Sequence, residues 1–209
     1  MDSRIAYVNS TRTDEELLER VDNRQKYLPE TTEAAVAELT RRGHTFTDEE
    51  LTVIDQDMQA QRNNAALVGS RVSLYSKEYK NVIVNDPDAA LMYSRLALYF
   101  FTLFMGAFFG SVMMAMNIAK TENRGKALWA VLFGVAFTAV QITIMESIKN
   151  PSSSYSILFG AASAYCLDYF FWRQFIGYAT FYRARPIWVP LIIALVLAGL
   201  IMLSIIYAG

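Results

Sequence analysis

Residues 170–190 read FFWRQFIGYATFYRARPIWVP, a basic and aromatic connector between two strongly apolar runs. Arg173, Arg183 and Arg185 alternate here with Phe175, Tyr178, Phe181, Tyr182 and Trp188. Such a mixture suits the zone where lipid tails meet water. Ring faces accept the acyl boundary, hydroxyl and indole N–H groups reach the headgroups, and guanidinium groups pair with phosphate. On this basis the runs on either side are expected to enter a bilayer, with their register fixed at one interface.

Working outward, Ile187–Tyr207 is the cleanest apolar run, and Ser156–Trp172 precedes the connector. Further upstream lie Ala127–Met145 and Leu96–Ala119, the latter 24 residues without a charged side chain. At about 1.5 Å per residue such a helix spans a hydrocarbon core of roughly 30 Å. Open-edged strands cannot cross lipid unaided, so helices are the economical architecture. The expected fold is all-α: a polytopic bundle of four transmembrane helices near 96–119, 127–145, 156–172 and 187–207, preceded by a small soluble helical domain.

The charge distribution supports two modules. Residues 1–67 carry fourteen acidic and eight basic side chains, whereas residues 68–209 carry six acidic and eleven basic ones. This divides the chain into an acidic soluble domain (1–67), a linker or interfacial segment (68–90) and a membrane domain (91–209). In the first part Thr13-Asp14-Glu15-Glu16 and Thr47-Asp48-Glu49-Glu50 are capping boxes, each opening a helix. Between them Pro29 suits the first turn of a second helix that stops at Gly43, with Arg41 and Arg42 at its carboxyl end. The third helix is expected to place Leu51, Ile54 and Met58 on one face. Three short amphipathic helices supply little apolar surface, so this domain should pack on itself, a partner or the membrane module. In the linker, Val72, Leu74, Tyr75, Tyr79 and Val82-Ile83-Val84 have mixed periodicity, and Asp86-Pro87-Asp88 is a helix start.

The amino terminus lacks a basic region followed by an uninterrupted apolar one, so the first internal apolar run should direct insertion. Four spans put both termini on one side and the connectors bearing Lys120, Arg124, Lys126, Arg173, Arg183 and Arg185 on the other. The opposing flanks offer Lys77, Lys80, Arg95 and Lys149, which mildly favours the connectors inside. Exporting about 90 residues without a signal peptide argues the other way. The balance leans slightly to a cytosolic helical domain.

Chemistry is sparse. The single cysteine, Cys166, and single histidine, His44, exclude an internal disulfide, Cys-rich or His-based zinc sites and a Ser-His or Cys-His relay. No phosphate-binding Gly loop, nucleophile elbow or HExxH motif is present. No cofactor is implied, and the arginines show no groove-reading pattern for nucleic acid. Asp168 stands out because a carboxylate in lipid is costly. It lies four residues before Trp172-Arg173, about 6 Å from the presumed interface, where it could pair with Arg173 or with a polar group on a neighbouring helix. Gly134, Thr138 and Gln141 share one face of the second span and suit interhelical hydrogen bonding or a polar path. Gly106 with Gly110, and Gly160 with Ala164, are small-xxx-small steps for close helix packing. Arg173, Arg183 and Arg185 suit anionic lipid headgroups or simple interfacial anchoring.

Two stretches carry a resemblance. Residues 15–20 (EELLER), 27–30 (YLPE) and 34–43 (AAVAELTRRG) resemble a helical segment of many uncharacterised Bacteroidota membrane-associated proteins. Residues 106–117 with 171–177 (FWRQFIG) and 182–191 (YRARPIWVPL) resemble a small group of bacterial four-span proteins of unknown function. In that group an aromatic-Trp-basic-basic-Tyr-Ile-Gly element precedes a basic, Pro-Ile-Trp-containing approach to the last span. Here Gln174 and Phe175 replace the usual basic residue and tyrosine, which weakens a charge role. The resemblance implies a bacterial inner-membrane location. The expected function is a non-enzymatic interaction, scaffold or accessory protein, its partners the bilayer and a protein docked through residues 1–67. The alternative is a small transporter or channel subunit using Asp168 and the polar face of span two.

Overall fold

A computed structural model describes residues 3–70, 82–149 and 152–208. The protein is predominantly α-helical and divides into two compact units. Unit 1 comprises Met1–Leu91 together with Gly177–Ala184; unit 2 comprises Met92–Ile176 together with Arg185–Gly209. The chain therefore passes between the units three times, and the connector read as one interfacial element belongs to both.

Unit 1 contains α1 (Ser3–Ser10), α2 (Asp14–Asp22), α3 (Pro29–Arg41) and α4 (Asp48–Ser70). Local chemistry sets their ends. Thr13 Oγ1 accepts from the Glu16 N–H while the Glu16 carboxylate accepts from the Thr13 N–H, and Thr47 and Glu50 repeat the arrangement. Pro29 occupies the first turn of α3, and Gly43 terminates that helix with φ +97°. The core gathers Leu17, Val21, Ala35, Leu39, Ile54 and Met58. Leu51, expected beside Ile54 and Met58, is 40 % exposed. It sits three residues before Ile54, on the exposed edge of the apolar stripe. The expected Val72, Leu74, Tyr75, Tyr79, Lys77 and Lys80 features lie outside the described residues.

Asp86-Pro87-Asp88 opens no helix. Asp86 is fully buried, accepting from the Leu28 N–H at 3.1 Å and the Asp88 N–H at 2.9 Å. Its carboxylate is spent on clamping a turn, and the next helix waits for Ser94, whose hydroxyl accepts from the Ala97 N–H. Beside this turn, the connector supplies extended backbone. The Tyr182 N–H donates to Val82 O and the Val84 N–H donates to Tyr182 O, both at 3.0 Å, in a parallel bridge. The Arg183 N–H donates to Ala90 O at 2.9 Å, within a pairing of two short strands, β1 (Leu91–Met92) and β2 (Arg183–Ala184). Tyr178 and Tyr182 are 5 % and 1 % exposed, so these rings fill protein and not a lipid boundary. Ring and hydroxyl alike suit such a site, because a strand edge offers both apolar wall and backbone acceptors.

Unit 2 is a helical bundle of α5 (Arg95–Met105), α6 (Ala107–Ile118), α7 (Ala127–Ser147), α8 (Ser153–Cys166), a π-helical segment (Leu167–Ile176) and α9 (Trp188–Ala208). The expected first span is broken. Gly106, at φ +88° and ψ 172°, ends α5 and starts α6. A continuous helix would separate Tyr93 from Asn117 by about 36 Å. Instead the Tyr93 N–H donates to Asn117 Oδ1, and Asn117 Nδ2 donates to Tyr93 O, both at 2.8 Å. Phe101 stacks on Phe109, and Gly110 abuts Thr102. Each pair straddles Gly106 at nearly equal distances along the chain, which defines an antiparallel hairpin. This conformation is almost confined to glycine, so Gly106 is a hinge and not a packing step.

The hairpin arms are about 16–18 Å long, half the roughly 32 Å of α7. A Cβ on Gly134 would strike Ser111, and one on Gly160 would lie 2.6 Å from Leu103 O, so α7 and α8 press on the hairpin near its tip. Both helices continue well past it. Among the described residues, one helix, Arg124–Ser147, is long and apolar enough to cross a membrane, with mean hydropathy 2.0 and 11 % of its apolar window buried. α5, α6 and the Trp188–Leu197 part of α9 are shorter apolar helices. Four full-length spans are thus not what the helices provide.

Candidate functional site

The open end of the hairpin gathers unit 2's polar chemistry. Arg95 opens α5, and Asp168 lies in the first turn of the π-helical segment. Arg95 Nε donates to Asp168 Oδ1 at 2.9 Å and Nη2 donates to Oδ2 at 2.7 Å, with both side chains about 95 % buried. A bidentate fork of this kind satisfies the carboxylate's charge and fixes its orientation. In the π segment the inward residues Asp168, Trp172 and Ile176 recur every four positions and leave Arg173 exposed. Arg173 lies over the Tyr169 ring at 5.2 Å. The expected Asp168 partner on a neighbouring helix is therefore Arg95, which the sequence placed among flanking charges. Trp172 is 1 % exposed and packs inside the unit, away from any lipid boundary.

The same end is tied together by the Tyr93–Asn117 pair, by Asn123 Nδ2 donating to Phe175 O at 3.0 Å and by the Arg185 N–H donating to Met92 O at 2.7 Å. The Arg185 guanidinium covers the Tyr93 ring at 4.9 Å. Asn117 carries its signal only weakly in the sequence. Its signal is a lone carboxamide at the close of an apolar run, where backbone N–H and C=O groups before a helix need partners.

Deeper in unit 2, hydroxyls stay on their own helices. Thr102 donates to Leu98 O, Ser111 to Phe108 O and Ser163 to Gly160 O. Gly110, Gly160 and Ala164 are buried at close approaches, while Gln141 is half-buried on α7. Thr138 Oγ1 is buried without a hydrogen-bond partner among the described residues. The expected Gly134/Thr138/Gln141 face is a packing face at Gly134, where the α6 hydroxyl of Ser111 leaves no room for a Cβ.

Unit 1 has its own buried polar network. Arg20 Nη1 donates to Asn9 Oδ1 at 2.7 Å, Asn9 Nδ2 donates to Thr31 O at 3.3 Å, and Arg20 Nη2 reaches Asp88 Oδ2 at 3.4 Å. Arg20 also covers the Tyr27 ring at 5.5 Å. Burial, and then the hydrogen bond to Glu19, pushes the Tyr27 hydroxyl up to about 12. Arg183 is half-buried in this unit, its Nε without a hydrogen-bond partner among the described residues. Separately, an open groove of about 300 Å³ runs between α2 and the start of α4.

No family model, curated protein or solved structure matches the chain.

Proposed function

We propose that unit 2 is a membrane anchor that crosses the bilayer three times and dips into it once, carrying unit 1 as a non-enzymatic docking module on the cytosolic face of a bacterial inner membrane. The observation that carries this is the outward apolar shell of unit 2. Leu128, Trp129 and Val140 on α7 and Leu195, Val196 and Met202 on α9 are 56–70 % exposed. Apolar surface on this scale, with α7 long enough to span a bilayer, matches lipid as its solvent.

The hairpin supports one sidedness for the anchor. Met92, Asn117, Asn123, Phe175 and Arg185 lie at one end of unit 2, so all three chain crossings leave from that end. Lys120, Arg124, Lys126, Arg173 and Arg185 flank it, and Arg183 sits in the loop that leaves and re-enters there. Lys149 alone flanks the other end among the described residues. The positive-inside rule then agrees with retention of the amino-terminal residues in the cytosol. The two arguments that oppose one another for four spans point the same way once the first span folds back. Buried hydrogen-bonded pairing of Asp168 and own-helix bonding of the hydroxyls favour structure over conduction, so the carrier reading is the weaker one.

The test is cysteine accessibility in intact cells, in a Cys166→Ser background. Lys149→Cys and Tyr207→Cys should react with a membrane-impermeant maleimide, and Glu122→Cys only after permeabilisation. A four-span protein with a cytosolic amino terminus gives the inverse pattern, and that pattern would overturn the topology.

A further inference from the structure

We propose that the groove between α2 and α4 is the docking site of a basic amphipathic helix, one apolar face flanked by lysine or arginine. This rests on reading unit 1 as a docking module. The floor is Val21 and Ile54, 4 % and 6 % exposed, which makes it continuous with the core and hence rigid. Phe46 forms a wall, and Val53 stands 49 % exposed above it, an apolar side chain presented to whatever enters.

Charge selects the occupant. Asp22, Glu49 and Glu50 rim the groove. Arg24, the cation on its lining, is already paired with Asp57 through Nε at 2.8 Å and through Nη2. Glu50 keeps its charge because the Thr47 backbone N–H holds its carboxyl below the usual range. The rim thus presents uncompensated negative charge around an apolar floor. Helix-in-groove recognition uses anchors at i, i+3, i+4 and i+7, and flanking cations would meet the rim. Such contacts steer association and weaken with salt. An acidic or purely polar segment meets repulsion or an unfilled floor.

The experiment uses the full chain in nanodiscs of zwitterionic lipid, with empty nanodiscs as blank. A labelled peptide of lysine and leucine, leucines at the helical spacing above, is titrated by fluorescence anisotropy beside its glutamate counterpart. The lysine peptide should bind and the glutamate peptide should not. Val53→Lys and Glu49→Lys should each weaken binding about tenfold or more, and Glu49→Gln by less. Leu67→Lys, 52 % exposed on the distant end of α4, should leave it unchanged. Equal binding by the wild type and both lysine variants, or equal binding of the two peptides, would overturn the site. A failed groove with the predicted maleimide pattern refutes this proposal alone. A failed maleimide pattern with groove binding intact refutes the topology alone.

Discussion

The two units solve opposite problems with the same helix. Unit 1 keeps apolar residues inside and spends its charges in long-range ties: Arg20 to Asn9 and Asp88, Arg62 to Glu33, and Arg42 to Asp14. Unit 2 buries Phe101, Met114 and Trp172 but leaves many other large apolar side chains exposed, and it packs small or polar residues at Gly110, Ser111, Gly134, Gly160, Ser163 and Ala164. In water the first pattern gains from burying hydrocarbon. If unit 2 lies in lipid, as proposed above, that gain disappears there, and close backbone approach with satisfied polar groups holds helices together. Unit 2 accordingly has one long-range ion pair among the described residues, and it is a buried fork.

That fork gives the sharpest contrast. Asp168→Ala removes the carboxylate that neutralises the buried Arg95 guanidinium, and should cost about 3–5 kcal/mol of stability. Replacing both, Arg95→Met with Asp168→Leu, should recover most of the loss, because two apolar groups need no desolvation. Thermal unfolding in mild detergent measures both. If the double variant is as unstable as the single one, the pair does more than neutralise a carboxylate. In unit 1, the Arg41–Glu38 pair at the helix surface should contribute far less, because water already solvates its charges.

Intermediate in size is the effect of close approach. Gly160→Ala would put Cβ 2.6 Å from Leu103 O, and backbone cannot rotate aside as a side chain can. The expected cost is about 1–3 kcal/mol, and α8 should separate from the hairpin. Gly199, whose Cβ would meet nothing within 4 Å on α9, tolerates the same change. Equal melting temperatures for Gly160→Ala and Gly199→Ala would remove backbone proximity from the account of unit 2.

What the sequence made legible follows the range of the interaction. Both capping boxes, the Pro29 start and the Gly43 stop are contacts over three or four residues, and they stand in the structure as the local chemistry dictates. Long apolar helices at 127–147 and 188–208 were legible because nothing interrupts them. The fold-back at Gly106 was not, since a glycine in an apolar run reads equally as a packing step and as a hinge. What decides between them is Asn117 meeting Tyr93, a contact 24 residues apart. The Arg95–Asp168 pair spans 73 residues and the Tyr182 bridge nearly a hundred, so charge and aromatic character were visible while their partners were not. Tyr178 and Tyr182 look alike in a headgroup zone and beside a strand edge, because both offer an apolar wall with polar groups at its rim.

The smallest expected effect separates the units by pH. Glu38 accepts from Arg41 Nε at 2.8 Å and from Arg42 Nε at 2.7 Å, and these guanidinium groups hold its carboxyl down to about 2 from the usual 4.5. Arg42 in turn donates to Ser10 O, Arg12 O and Asp14, so the carboxylate helps hold the end of α3 to the turn between α1 and α2. A depressed carboxyl contributes stability above its unfolded value and loses it as pH falls from 4.5 towards 2. Protection factors of α3 amides, taken against the intrinsic exchange rate at each pH, should fall across that window, and Glu38→Gln should flatten the dependence while lowering protection at neutral pH. Salt should shrink the effect, because the pair is solvent-exposed. α6 has no acidic or basic side chain between Ala107 and Ile118, so its amides should show none of this carboxylate-dependent change. An acid response of equal size in α6 would mean that the units unfold as one and do not have separate stabilities.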